Sequence, residues 1–208
     1  MREGTNTNTT MAKMKSSLIG ENKVKVVMAR LSFPYLFAPR KNDDGSDDKY
    51  QCCLLIDKKD SAFKEAYDKA VEAAKANGVK GKWGGKVPKN LQLPLRDGEE
   101  REEEYPEFEG KWFLNPKARR KPDTCVVVSG GQLAKSDDEE EFYAGCYVVA
   151  LVSFFPYDNS GNKGVACGLE GVIKVKDGER FDGGGSVQST LAGEDFSEFY
   201  NDDEDEDM

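Results

Sequence analysis

From Phe142 to Phe155 the chain reads FYAGCYVVALVSFF, with neither a charge nor a proline. Even positions Phe142, Ala144, Cys146, Val148, Ala150, Val152 and Phe154 form one face, and odd positions Tyr143, Tyr147, Val149, Leu151 and Phe155 the other. A period of two is that of a β-strand, and the even face is the natural interior of a barrel. Gly145 marks a bend or bulge of the kind small barrels use. The odd face is too apolar to stand in water, so the helix, a second subunit or a ligand is expected to cover it.

Further strands are expected at Lys23–Leu31, Tyr50–Asp57, Lys111–Asn115, Cys125–Ser129 and Val165–Lys176. Pro34 and Pro39 should stop regular pairing after the first and leave Phe33, Tyr35 and Phe37 on an edge or loop. One helix is predicted over Ser61–Asn77, capped by Asp60 or Ser61 and stopped at Gly78. Phe63, Ala66, Tyr67, Ala70, Val71 and Ala74 give it a single apolar face, suited to packing on a sheet. Residues 79–110 are loop-rich, and a connection that long inside one domain is often functional. The expected organisation is a flexible leader over 1–20, a domain over 21–182, and a Gly linker with an acidic disordered tail over 183–208. The fold class is mainly β: an OB-fold-like small barrel with one main helix.

The 208 residues carry a formal charge of -9, which at first speaks against a polyanionic ligand. Its distribution reverses that reading. Nine acids and no base follow Gly193, so the body is formally neutral. Fourteen more acids sit in three loop clusters: Asp43, Asp44, Asp47 and Asp48; Glu99, Glu100 and Glu102–Glu104; and Asp137–Glu141. A basic face can therefore coexist with an acidic total.

Much chemistry is excluded by composition. There is no histidine, so Ser-His-Asp triads and HExxH zinc sites are absent, and no GxxxxGK[ST] phosphate loop occurs. The five cysteines (Cys52, Cys53, Cys125, Cys146, Cys167) lie in apolar runs without a CxxC and read as buried free thiols in a reducing cytoplasm. No cofactor or metal is expected. No apolar run is long enough to span a membrane, and residues 1–17 lack the apolar segment of a signal peptide. The enzyme alternative is a metal-dependent nuclease built on Glu109-Gly110-Lys111 and Pro122-Asp123, elements that stand in the reverse of the usual order. A third alternative is an acidic protein-interaction module without nucleic-acid binding.

Aromatic and basic residues interleave twice, as in proteins that stack single-stranded bases while cations follow the phosphates. The first run, from Arg30, holds Phe33, Tyr35, Phe37, Arg40 and Lys41, and the second, from Lys111, holds Trp112, Phe113, Lys117, Arg119, Arg120 and Lys121; all but Phe33, Phe113 and Lys117 are candidate contacts. Lys82 and Lys86 of the Gly-rich loop, with Tyr143 and Tyr147, complete the candidate nucleic-acid-binding set. Any one of these rings can instead fill the barrel. Trp83 or Trp112 emission is expected to change on adding oligo-dT.

After residue 193, Phe196, Phe199 and Tyr200 precede the acids Asp202, Asp203, Glu204, Asp205, Glu206 and Asp207. Like charges at that density stay disordered. Such a tail either solubilises, or acts as a decoy that occupies the basic groove until nucleic acid displaces it and then recruits partners.

These residues also carry a family resemblance. The segment from Phe142 to Gly184 resembles the C-terminal half of a family of phage single-stranded DNA-binding proteins, most distinctively in Tyr143-x-Gly145-x-Tyr147 and Gly161–Val165. KVVMARLSFPYLFAP, KYQCCLLIDKKD and the helix match the same layout, so the resemblance covers roughly residues 23–200. It implies an OB-fold that binds single-stranded DNA without sequence preference in phage replication and recombination, in the cytoplasm of the infected host. It also implies phage or host replication and recombination proteins as partners of the tail, and a homodimer as one assembly. Where distant relatives end the tail in an aromatic residue, this sequence places its aromatics before the acidic run.

Overall fold

The computed structural model describes residues 14–41, 48–181 and 193–195. The tail residues Phe196 to Asp207 named above therefore lie outside the described residues, as do residues 1–13 and 42–47. A short strand β1 (Ser17–Ile19) pairs antiparallel with the start of β2 (Lys23–Arg40), so part of the expected leader belongs to the fold. Then come β3 (Lys49–Asp57), α1 (Ser61–Gly81), β4 (Arg96–Asp97), β5 (Lys111–Leu114), β6 (Lys117–Ala118), β7 (Asp123–Val127), β8 (Leu133–Lys135), β9 (Tyr147–Asn159) and β10 (Asn162–Lys176).

The pairings return on themselves. β2 pairs with β9 and with β3, β9 with β10, β10 with β6 in parallel, and β6 with β3. Five strands thus close into a small OB-like barrel. β5 and β4 continue outward from β3, and the β7–β8 hairpin joins β10.

Alternation decides which side chains fill the barrel. In β9, Val148, Ala150, Val152 and Phe154 are fully buried, as the even face requires. Burying side chains of the larger kinds contributes about 1.5–3 kcal/mol each. The strand begins only at Tyr147, because Gly145 turns the backbone at φ +110. Phe142 and Cys146 remain buried without being strand residues. The outer face of β9 is not covered by the helix. Val149 and Leu151 line an apolar cleft of about 490 Å³ with Ile19, Cys125 and Ile173, and Phe155 is 44% exposed.

β2 runs on through both prolines instead of ending before them. Its pairing becomes irregular at two bulges, where Met28 and Phe33 take left-handed φ of 59° and 46°. These bends let one strand serve both sides of the barrel seam. The helix begins as expected, with the Asp60 carboxylate accepting from the Phe63 amide at 2.9 Å. It does not stop at Gly78, which lacks the left-handed φ of a helix stop, and runs on to Gly81; glycine stands at 78 because the buried Trp83 indole packs there and leaves no room for a Cβ. Its apolar face closes one end of the barrel, with the Tyr67 ring edge-on to Phe154 at 5.3 Å.

β3 is buried on both faces. Cys52, Leu54 and Ile56 enter the barrel core. Cys53 and Leu55 join Phe108 and Phe113 in a second, smaller core outside it. That second core exists because residues 98–108 fold back over β3 in two 3-10 turns. Gly98 seats the excursion, since a Cβ there would stand 2.1 Å from the Phe108 carbonyl.

Candidate nucleic-acid interface

The excursion and the irregular half of β2 enclose a groove on the barrel surface. One part, about 290 Å³, is lined by Tyr35 and Arg40 of β2, Gln51 of β3, Arg101 and Tyr105 of the excursion, and Lys117 of β6. It continues into a more apolar part of about 360 Å³ that shares Phe33, Tyr35 and Tyr105 and adds Pro34, Ala144 and Phe181. The Phe33 ring meets Tyr105 edge-on at 5.2 Å between centroids. The Arg101 guanidinium lies 4.4 Å from the Tyr105 ring, 5.7 Å from Phe33 and 5.3 Å from Phe108, so a cation is held among three aromatic faces. Arg40 stands 5.9 Å from the Tyr35 ring, which is 39% exposed. Glu104, beside Tyr105, holds its phenol above the ordinary value.

Exposed rings with interspersed cations can stack bases and neutralise phosphates, a combination indifferent to base sequence. One acid, Glu107, lines the apolar part. The lining cations Arg40, Arg101 and Lys117 all belong to the first part. Arg119, Arg120 and Lys121 follow Lys117 in the chain and are exposed, Lys121 meeting Asp137 at 2.7 Å, and Lys49 stands opposite Arg40 in the register of β2 and β3. Positive charge is thus concentrated at one end of the groove.

At the opposite end the chain leaving β10 is bound down as a strap. Phe181 donates its amide to the Ala144 carbonyl at 3.1 Å. The Tyr143 hydroxyl donates to Asp177 Oδ1 and accepts from the Gly178 amide, each at 3.0 Å. Lys174 meets Asp177 at 2.9 Å, and Lys174 and Tyr143 hold the Asp177 carboxyl below its ordinary value. Arg30 donates from Nε to the Gly145 carbonyl at 2.6 Å and from Nη2 to the Glu179 carbonyl at 2.7 Å.

The sequence-derived candidates separate on this geometry. Tyr35 and Arg40 line the groove directly, while Lys41, Arg119, Arg120 and Lys121 are exposed and adjoin the lining residues Arg40 and Lys117 in the chain without lining it themselves. Phe37 packs against Phe142 at 5.6 Å, with the Lys121 ammonium 5.0 Å from its ring. Tyr143 and Tyr147 are half-buried in the strap and under Arg30. Lys111 and Trp112 stand elsewhere. Lys111 pairs with Asp57 at 3.0 Å, and Trp112 packs against the barrel core under Lys58. Lys82 and Lys86 flank Trp83, whose indole donates to the Tyr157 carbonyl at the far end of α1. These four residues line neither part of the groove. The nuclease-like elements are likewise drawn into separate ion pairs, Lys111 with Asp57 and Asp123 with Lys135.

Arg101, Tyr105 and Phe181 were not legible as site residues in the sequence; Phe33 and Lys117 stand in the interleaved runs, but nothing local marks them out from a core ring and an ordinary surface base. Arg101 sits inside a run of glutamates, where charge counting sets it aside. An aromatic residue in a segment otherwise acidic or glycine-rich, as at Tyr105 and Phe181, is the signal that could have found them.

The model of the family described by the Enterobacter phage Enc34 ssDNA-binding protein matches residues 22–208. Protein p50 of Acyrthosiphon pisum secondary endosymbiont phage 1 is 31% identical over 172 residues, covering 78% of this chain and 88% of that protein. The structure resembles the single-stranded DNA-binding protein of bacteriophage Enc34 in complex with ssDNA, with a TM-score of 0.66 and 28% identity over 81% of this chain and 98% of that one. The fold is shared more distantly with gp2.5, a single-stranded DNA-binding protein encoded by bacteriophage T7, at a TM-score of 0.54 and 17% identity over 81% and 99% of the two chains. Proteins of this family are not enzymes. This chain belongs to the family of phage single-stranded DNA-binding proteins represented by that of Enterobacter phage Enc34.

Proposed function

We propose that the protein binds single-stranded DNA along the groove, without sequence preference, in support of phage DNA replication and recombination in the host cytoplasm. The observation that carries this reading is the placement of Phe33, Tyr35 and Tyr105 beside Arg40, Arg101 and Lys117 in one groove. Rings offer faces to any base, and cations follow the backbone. The family match supports the same ligand.

The acidic tail regulates this groove and recruits replication partners. Two facts support the first role. Nine acids follow Gly193, and the described chain approaches the tail from Phe181, at the groove's edge. A tether that short keeps a competing polyanion at high local concentration.

The test is a titration of fluorescein-labelled oligo-dT with the full-length protein and with a form lacking residues 194–208, at two salt concentrations. The tailless form is expected to bind more tightly, and both affinities to fall steeply with salt, as counterion release requires. If neither form binds at low salt, the groove reading fails. Equal affinities would remove the tail's competitive role while leaving the groove intact.

A further inference from the structure

The sequence offers Arg30 as a contact to nucleic acid, yet the structure commits it elsewhere. Its Nε and Nη2 each donate to a backbone carbonyl, Gly145 at 2.6 Å and Glu179 at 2.7 Å. Its flat guanidinium lies 4.7 Å from the Tyr147 ring centroid and 4.5 Å from that of Phe181. Two segments 34 residues apart in sequence, at Gly145 and Glu179, are thereby fastened by one side chain. What the fastening places is Phe181, a half-buried ring that lines the apolar end of the groove with Phe33 and Tyr105.

We propose that Phe181 is a base-stacking platform closing one end of the groove, and that Arg30 is its positioning residue instead of a phosphate contact. The inference rests on the groove being the single-strand site. A guanidinium is suited to this task because its planar fork satisfies two carbonyls while its faces pack on rings. Lysine supplies the charge but neither the fork nor the flat face. Gly145 belongs to the same device. A Cβ there would stand 2.0 Å from the Glu179 carbonyl, so the strap can lie flat only over glycine.

Full-length protein and the variants Phe181→Ala, Arg30→Ala, Arg30→Lys and the Arg30→Ala/Phe181→Ala double are titrated with labelled oligo-dT across a salt series. Melting curves show which variants are folded. Phe181→Ala is expected to weaken binding about tenfold, the loss of one stacked base. Arg30→Lys should weaken it nearly as much as Arg30→Ala, and the double variant no more than the worse single, because both act on one platform. The slope of log affinity against log salt should stay at the wild-type value in Arg30→Ala. Loss of a phosphate contact would flatten it by about 0.7. Limited trypsin digestion gives a readout independent of DNA, with faster cleavage after Arg180 expected in both Arg30 variants.

A flattened slope with near-normal binding by Arg30→Lys would overturn the positioning role. Unchanged affinity in Phe181→Ala would overturn the platform. Both outcomes presuppose a wild-type protein that binds. Wild-type and tailless proteins that fail to bind would instead sink the groove reading itself.

Discussion

Gly145 shows how one residue can set a boundary and a site together. Its φ of +110 ends the apolar run as a strand at Tyr147, and its missing Cβ lets the Asp177–Phe181 strap press against it. Gly145→Ala is expected to cost about 2–3 kcal/mol of stability, read as a lower midpoint in denaturant, since both the backbone conformation and the close approach are lost. A midpoint within error of the wild type would show that the strap is not pressed there. The cysteines make the opposite case. Burial pushes the Cys53 thiol up to about 12 and Cys146 up to about 11, and raises Cys52 and Cys167 as well. These four behave as small apolar side chains held by the two cores, as their apolar sequence setting implied, whereas Cys125 is only half-buried, on the apolar cleft beside β9.

At the scale of elements, the excursion and the strap turn a plain barrel into one with a groove. Neither is a regular element, and neither was legible from periodicity. Their apolar residues (Tyr105, Phe108, Phe181) are few and set among acids and glycines. The strap also carries a pH dependence. Lys174 and Tyr143 favour the ionised form of Asp177, so its folded value lies below the ordinary 3.8. A depressed carboxylate contributes its stabilisation above the unfolded value and loses it as pH falls through the folded one. Hydrogen-exchange protection, taken relative to the intrinsic rate at each pH, reads the opening residue by residue. The Gly178 amide, which donates to Tyr143, is expected to lose protection below about pH 4, ahead of the β9 amides. Uniform loss in the strap and in β9 would rule out local opening.

For the whole molecule, a formal charge of -9 and an anionic ligand are reconciled by segregation. The groove collects Arg40, Arg101 and Lys117, while the net charge resides after Gly193. The placement of the tryptophans reverses one expectation. Trp83 is 3% exposed against α1, and Trp112 faces the barrel core under Lys58. Tryptophan emission is therefore expected to change little at oligo-dT concentrations that saturate the anisotropy of a labelled strand. A large quench would place DNA against β5 or the end of α1, outside the groove.

The sequence by itself determined a strand-rich chain with one N-capped helix, because period-two and period-3.6 patterns act through neighbours a few residues apart. It also determined where the acids lie. Closure of the strands into an OB-like barrel was implied by the family resemblance and is decided by pairings between distant segments, β6 with β10 and β3 among them. The tertiary structure alone decided which rings face the groove, because Tyr35, Phe37, Trp112 and Tyr147 look alike along the chain and differ only in what distant segments bring against them. Arg101, surrounded by glutamates in sequence, becomes a groove cation once residues 98–108 fold over β3. Arg30, a free cation on paper, becomes a bracket when Gly145 and Glu179 arrive from either side. Contacts at such separations depend on chain closure, which no local pattern encodes.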